Sequence, residues 1–365
     1  MKVINRNKLL IYLIFFLSLS FFLFHTFFLS DKENAFFTNE NLIRIKKAKD
    51  IMIDALDSIK DEKENQGIEI NLENDPNKTG LIGSEYSIIT TTMGHLDAKR
   101  TSVNPDTAAL IALIFANEGL KAGDSVAIGS SASFPGLLLA TLSACKALNL
   151  QPITIVSFGA SQYGANEIEF TIIDMLKTLE RTIGDYFKPD AISYGGNNDI
   201  ADDLSEEARA FISKSIQNAG YPLVYEEKFV ENVKKRMSLY DKTAKTAIKM
   251  FVNIGGSISN IGTSPEVLNI KPGLNKVIED IPPKNQRGVL FEFASRKTPI
   301  LHLLYMKGLS IRYGLLWDPI PFQNDSHQHF YLTNETENKK NVLFILIFIC
   351  TLFCFVILGK FLFRL

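Results

Sequence analysis

Two stretches at the ends of the chain break the usual alternation of apolar and polar positions. Leu9 to Leu29 contains no Asp, Glu, Lys or Arg and is dominated by Leu, Ile and Phe, and Val342 to Gly359 is a second uncharged run. At about 1.5 Å per residue the first is long enough, as a helix, to cross a hydrocarbon core of about 30 Å. The second suffices if Lys360 extends its stem to the interface. The pattern therefore predicts one transmembrane helix at each end. The first is long for a signal-peptide core, and its exit, Phe27-Phe28-Leu29-Ser30-Asp31, offers no small-x-small cleavage site, so it is expected to stay as an anchor. Lys2, Arg6 and Lys8 precede it, while Asp31, Lys32 and Glu33 follow. The positive-inside rule then places both chain ends in the cytoplasm and the intervening domain outside a cytoplasmic (inner) membrane.

Between the runs the periodicity changes several times. Asn41 to Lys60 carries Ile45, Ala48, Met52, Ala55 and Ile59 at helical spacing, which predicts an amphipathic helix. Asp61 to Thr79 is polar and reads as a linker. Leu81 to Thr92, rich in Ile and Thr, is a candidate strand. A helix is expected from Pro105 to about Asn117, with Asn104 as its cap. Short apolar strands are expected at Ser125–Ile128, Pro152–Ser157, Ala191–Tyr194, Leu223–Tyr225 and Met250–Ile254, and helices at Pro135–Leu148, Glu169–Arg181, Ser205–Ala219 and Phe229–Ala247. Pro282 to Gln323 gives no clear pattern.

Strands alternating with helices of this length predict an α/β fold with a doubly wound, mostly parallel sheet. The expected organisation is an anchor over residues 1–30, helix and linker over 31–79, the α/β domain over 80–323, a polar tether over 324–340 and the second span with its basic tail over 341–365. Sheets of this kind bind ligands beyond the carboxyl ends of their strands.

Charge narrows the partners. Five of the 39 basic residues (Lys2, Arg6, Lys8, Lys360, Arg364) lie in the tails, which leaves 34 basic against 40 acidic residues between the runs, a net of −6. Nucleic acid is not expected as a partner of such a domain. Only Cys145 lies in the domain, so no disulfide forms within it and no cysteine-based metal site is expected. A local basic excess over Lys271 to Arg312, eight Lys/Arg against three Asp/Glu, is the exception to the acidic balance.

The sharpest candidate chemistry is Gly129-Ser130-Ser131-Ala132-Ser133, read as a small-residue turn between a strand and a helix. Free backbone N–H groups and hydroxyls at such a place suit a phosphate or carboxylate. Two loops share the character: Gly159-Ala160-Ser161 and Gly255-Gly256-Ser257-Ile258-Ser259-Asn260. Lys99 and Arg100 are candidate cations for the same anion. Ser131 also stands in Gly-x-Ser-x-Ser, one residue short of a hydrolase elbow, and is a candidate nucleophile. The histidine partner such a site needs is hard to find: His95 precedes it, and His302 falls in an apolar stretch. Gly123-Asp124-Ser125 precedes its strand rather than ending it, which sets it on the wrong side of the sheet for an esterase block. No phosphate-loop lysine, HExxH or dinucleotide glycine fingerprint is present, and no metal or cofactor is expected.

Gly80-Leu81-Ile82-Gly83-Ser84-Glu85, Ile89-Thr90-Thr91-Thr92-Met93-Gly94, Ala98-Lys99-Arg100-Thr101-Ser102, Asn104-Pro105, Gly129–Pro135 and Gly159–Asn166 together resemble the bacterial poly-γ-glutamate system proteins. The likeness covers about Gly80 to Pro319 and includes the membrane anchor. It implies an accessory component of poly-γ-glutamate capsule synthesis or export, partnered with the polymer's ligase and an integral-membrane export protein, and handling a glutamate-type or other anionic ligand. It supplies no catalytic residue, and Ala132 stands where that family often has Gly. Two alternatives remain open: a serine-dependent hydrolase or transpeptidase that trims polymer, and a sugar-phosphate-binding module, because strand–Gly-Ser-Ser–helix also resembles sugar isomerase domains.

Overall fold

The structure is a computed structural model that describes residues 39–322 together with Phe15, Ser18, Phe21, Phe348 and Ile349. The chain ends, Met1–Glu40 with Leu332–Leu365, form one unit, and Asn41–Tyr331 forms another. In the first unit the rings of Phe21 and Phe348 stack with centroids 3.9 Å apart. The two expected spans and the tether lie almost wholly outside the described residues. Among the described residues no helix is long and apolar enough to cross a membrane.

The second unit is α/β. Its elements are α1 (Asn39–Asn65), α2 (Leu96–Ser102), α3 (Asp106–Asn117), β1 (Ser125–Ser131), α4 (Pro135–Leu148), β2 (Gln151–Ser157), α5 (Ile172–Thr182), β3 (Ala191–Ser193), α6 (Glu206–Ala219), α7 (Phe229–Thr243), β4 (Ile248–Ile254), α8 (Ile258–Ile261), β5 (Gly273–Asn275), α9 (Val289–Ser295), β6 (Ile300–Leu303) and α10 (Met306–Tyr313), with 3₁₀ turns between. The sheet order is β3-β2-β1-β4-β6-β5. All pairings are parallel except β5 with β6. The chain steps outward from β1 to β3 and then returns to the other side of β1 as β4. The crevice between the carboxyl ends of β1 and β4 is therefore the place where the strand order reverses.

Alternation along paired strands sorts the sheet into two faces. Ala127, Ile155, Phe251 and Ile300 lie on one of them and join Val233, Met237 and Tyr240 of α7 and Phe291 and Phe293 of α9 in a single apolar core. The Tyr240 hydroxyl donates to the Ile128 carbonyl at 2.9 Å, which ties α7 to β1. Ser205 caps α6 by accepting from the Ala208 N–H at 3.2 Å, and Asn104 Oδ1 accepts from the Asp106 N–H at the start of α3.

Four local expectations change. Strand β1 runs on through Gly129, Ser130 and Ser131, because those residues pair in register with Ile155, Val156 and Ser157 of β2; the turn begins only at Ala132. Leu81–Thr92 is not a strand but an irregular segment clamped over the loop after β2, with Thr90 bridged to Ala160 and Asn166 Nδ2 donating to Ser84 O and Thr90 Oγ1, each at 2.9 Å. Leu223–Tyr225 contributes only an isolated bridge to Ile192. The polar segment after Lys60 is folded onto the unit. Helix α1 continues to Asn65, buries Ala48, Met52, Ala55 and Ile59 completely, and carries a buried Lys63 paired with Glu167. Further on, the buried Asp75 carboxylate accepts from Thr79 Oγ1 and the Gly80 N–H. Polarity suggested a linker there; local hydrogen bonding to that carboxylate is what orders it. The unparsed stretch after Pro282 contains α9, β6 and α10.

Candidate functional site

Helix α2, seven residues and about two turns long, hangs Lys99 over the carboxyl ends of β1 and β2. Lys99 is 2 % exposed. Its ammonium donates to Ser161 Oγ at 2.8 Å and to the Ser133 carbonyl, and lies 3.7 Å from the centre of the Phe134 ring. Ser133 Oγ accepts from the Ser161 N–H at 3.0 Å, so both loops and the lysine form one closed set. No carboxylate is among these partners. Burial without a counter-charge pulls the Lys99 ammonium down to about 7 from an ordinary 10.5. The group is thus poised to hold an anion when charged and to accept a proton when neutral.

A strap roofs this set. The Thr91 N–H donates to Ala160 O at 2.8 Å, and Thr92 O accepts from the Gln162 N–H at 3.0 Å. Gly94 lies so close that a side-chain carbon there would stand 2.3 Å from Gln162 O and 3.3 Å from Ser161 Oγ. Ser161 is 5 % exposed beneath the strap.

The remaining sequence candidates fall elsewhere. Arg100 is spent on Asp318, with Nε donating to Oδ1 at 2.7 Å and Nη2 to Oδ2, and it does not face Lys99's partners. Gly129 and Ser130 are strand residues with no free N–H cradle between them. A side-chain carbon at Gly129 would strike the Asn260 amide, 2.6 Å from Oδ1. Ser130 Oγ is buried and donates to Ser131 O at 3.2 Å. Ser131 Oγ has no hydrogen-bond partner among the described residues; it lies 2.3 Å from where a side chain at Gly255 would begin. Gly159 packs against Thr91 and the Tyr194 carbonyl. Gly256 is exposed, and Ser257 precedes the four-residue α8, its carbonyl accepting from the Asn260 and Ile261 N–H groups. His302 is buried on β6, where Asn253 Nδ2 lies 3.1 Å from its Nδ1. Burial lowers its imidazole to about 4.

Sequence reasoning missed a polar layer under the core face of the sheet. The last residues of three adjacent strands, Ser131, Ser157 and Ser193, stand in one register row. Gly129, Asn253 and His302 make the row beneath. Asp199 and Arg236, both fully buried, cover the first row as an ion pair. Asp199 accepts from Ser157 Oγ (3.0 Å), Ser193 Oγ (2.8 Å), Asn232 Nδ2 (3.2 Å) and Arg236 Nη2. The loop that delivers Asp199 is strained: Gly195, Gly196, Asn198, Asp199 and Ala201 all have positive φ. Yet Arg236 Nη1, Asn253 Oδ1, Ser259 Oγ and both ends of the Asn260 amide are buried without a hydrogen-bond partner among the described residues. Each such group costs about 1–3 kcal/mol if left unmet. The available signal was serine at the carboxyl end of three consecutive strands, a residue type with no packing reason to be there.

Among the described residues no cluster of three or more His, Cys, Asp or Glu side chains is placed to hold a metal ion. The fold and the site thus define a mostly parallel α/β unit with a buried lysine over the carboxyl ends of β1 and β2. No family model, no curated protein and no solved structure matches the chain.

Proposed function

We propose that this chain is a membrane-anchored accessory component of poly-γ-glutamate synthesis or export, and that its α/β unit holds a glutamate-type carboxylate at Lys99, Ser133 and Ser161. The observation that carries this is Lys99: a buried cation with only neutral partners, at the strand ends where such sheets bind ligands. The segments that carry the sequence resemblance also meet there. Gly83 donates to Tyr163 O, Thr90 bridges to Ala160, and Lys99 joins Ser133 to Ser161. In this reading the two end runs are uncleaved spans of the cytoplasmic membrane, the unit is extracytoplasmic, and the ligase and export protein are its partners. Titration of the full chain with glutamate oligomers tests the ligand, and Lys99→Met is expected to abolish saturable binding. Equal binding by both proteins would refute the site. Deletion of the gene is expected to remove or shorten cell-associated polymer, and unchanged polymer would refute the role.

The Lys99–Ser161 hydrogen bond favours a second reading, a serine-dependent hydrolase or transpeptidase in which Ser161, not Ser131, is the nucleophile. Neutral Lys99 Nζ takes the Ser161 hydroxyl proton as Oγ bonds to an amide carbonyl carbon. The C–N bond then breaks, and Lys99 returns the proton to the leaving amine. Water, or the amine of another chain, releases the acyl group by the same route. Release of shortened polymer by the purified chain, lost in Ser161→Ala with binding retained, distinguishes this reading from simple binding.

A further inference from the structure

We propose that the polar layer beneath the carboxyl ends of β1 and β4 is a second binding site, for a small uncharged polyhydroxyl molecule of the sugar class. The unpartnered groups are Asn260 at both ends of its amide, Arg236 Nη1, Asn253 Oδ1, Ser131 Oγ and Ser259 Oγ. All lie on residues at most 6 % exposed. They come together through two relationships. Asn260 rests on Gly129, the register partner of Asn253. Helix α8, which carries Ser259 and Asn260, packs between α7, which carries Arg236, and the Asn197–Asp199 turn.

Three features separate this layer from ordinary core packing. The first is that it is built: a side-chain carbon at Gly129 would stand 2.6–2.8 Å from the Asn260 amide, and one at Gly288 would stand 2.4 Å from the Asn260 carbonyl oxygen, so Asn260 is closely held at both its side chain and its backbone. The second is its mixed character. Arg236 Nη1, Asn260 Nδ2 and two hydroxyls donate, while Asn253 Oδ1 and Asn260 Oδ1 accept. A hydroxyl both donates and accepts, so a set of neighbouring hydroxyls matches this surface better than a carboxylate or an ammonium does. The third is charge. Arg236 is already neutralised by Asp199, whose two oxygens accept from four donors. An added anion would find no unmatched cation, and an added cation no unmatched carboxylate, so the favoured ligand is neutral. Ser131 Oγ lies 2.3 Å from where a side chain at Gly255 would begin, and the neighbouring Gly256 is exposed. The site is independent of the anion site, since Phe134 stands between Lys99 and the Gly255 position.

The test is thermal-shift and calorimetric titration of the full-length chain with glucose, glucosamine, N-acetylglucosamine and inositol, with glutamate and inorganic phosphate as charged controls. At least one neutral polyol is expected to bind saturably and to raise the melting temperature. Asn260→Leu, which removes both ends of the amide at similar volume, is expected to weaken that binding at least about tenfold. Ser131→Ala, at the edge of the layer, serves the same purpose if Asn260→Leu does not fold. Lys99→Met is expected to leave polyol binding unchanged. Absence of binding by every neutral polyol, or a high-resolution structure of the soaked protein with ordered water alone against Asn260 and Arg236, would overturn the proposal.

Discussion

Lys99 Nζ lies 2.8 Å from Ser161 Oγ, although the two residues are 62 positions apart and belong to a short helix before the sheet and to the loop after its second strand. The bond closes a ring with Ser133, whose carbonyl accepts from the lysine and whose hydroxyl accepts from the Ser161 N–H. A cation satisfied only by neutral oxygens and an aromatic face keeps its desolvation cost. That cost shifts the group toward the neutral form and makes both stability and ligand binding depend on pH.

The direction of each dependence follows from the lowered Lys99 value. Without ligand the unfolded chain holds the lysine proton up to about 10.5, while the folded chain releases it near 7. Between these limits the unfolded state binds more protons, so stability rises with pH, by up to about 1.4 kcal/mol per pH unit. Lys99→Met is expected to lack this rise, and the difference between the two denaturation curves across that window measures it. A bound anion favours the charged lysine. Its affinity is expected to be flat below about pH 7 and to fall above it, by up to about tenfold per unit.

Two of the arginine pairs differ in what they are worth. Arg236 and Asp199 are wholly buried, whereas the side chains of Arg100 and Asp318 keep 18 % and 19 % of their exposure. Removing one partner of the buried pair leaves an unmatched charge, so Arg236→Met is expected to cost about 3–5 kcal/mol in chemical denaturation. Arg100→Met is expected to cost about 1 kcal/mol or less and to leave anion affinity nearly unchanged, because its guanidinium is committed to Asp318.

The general architecture was legible because strand–helix alternation is a periodic signal. The apolar runs at Val126–Ile128, Pro152–Ser157 and Met250–Ile254 fall within β1, β2 and β4. Ser133 and Ser161 were legible as polar groups after strands, and Lys99 as a candidate cation for the same anion, and the structure brings these three together. Arg100 was not separable from Lys99, because its partner Asp318 is 218 positions away. Gly129 and Ser130 were misplaced because Gly and Ser signal a turn locally, whereas pairing on both sides extends β1 through them. The Asp199–Arg236 pair was invisible for the same reason as Asp318: tertiary packing, and no spacing rule, sets its partners.

His302 gives the acid limb of the stability curve a specific shape. Its imidazole titrates near 4 in the folded chain against 6.5 in the unfolded one. The folded pKa is the lower, so the stability it carries is fully present above 6.5 and is lost as pH falls toward 4, by up to about 1.4 kcal/mol per unit. Asn253 Nδ2 donating to the neutral Nδ1 is the contact that protonation breaks. His302→Gln is expected to flatten the difference between pH 6.5 and 4; an unchanged slope in urea titrations would show that the ring is hydrated in solution.

Three substitutions at the ends of β1 and β2 order the candidate chemistry. Ser161→Ala removes the hydroxyl that accepts from Lys99. It is expected to weaken glutamate-oligomer binding by about tenfold, the scale of one charge-assisted hydrogen bond. If Ser161 is the nucleophile, turnover falls to background while binding persists. Ser131→Ala removes an oxygen that makes no hydrogen bond among the described residues, so anion binding and turnover are expected to stay within about twofold, and the fold to lose almost nothing. Gly129→Val is expected to be the most damaging to the fold. Its first side-chain carbon already stands 2.6–2.8 Å from the Asn260 amide, and two further methyl groups force α8 away from the sheet. The cost is expected to be about 1–3 kcal/mol or more. That loss comes from displaced packing and not from a blocked anion cradle, so anion affinity measured on the folded fraction is expected to stay near that of the unmodified chain. Loss of turnover in Ser131→Ala with Ser161→Ala active would reverse the assignment and return the nucleophile to β1.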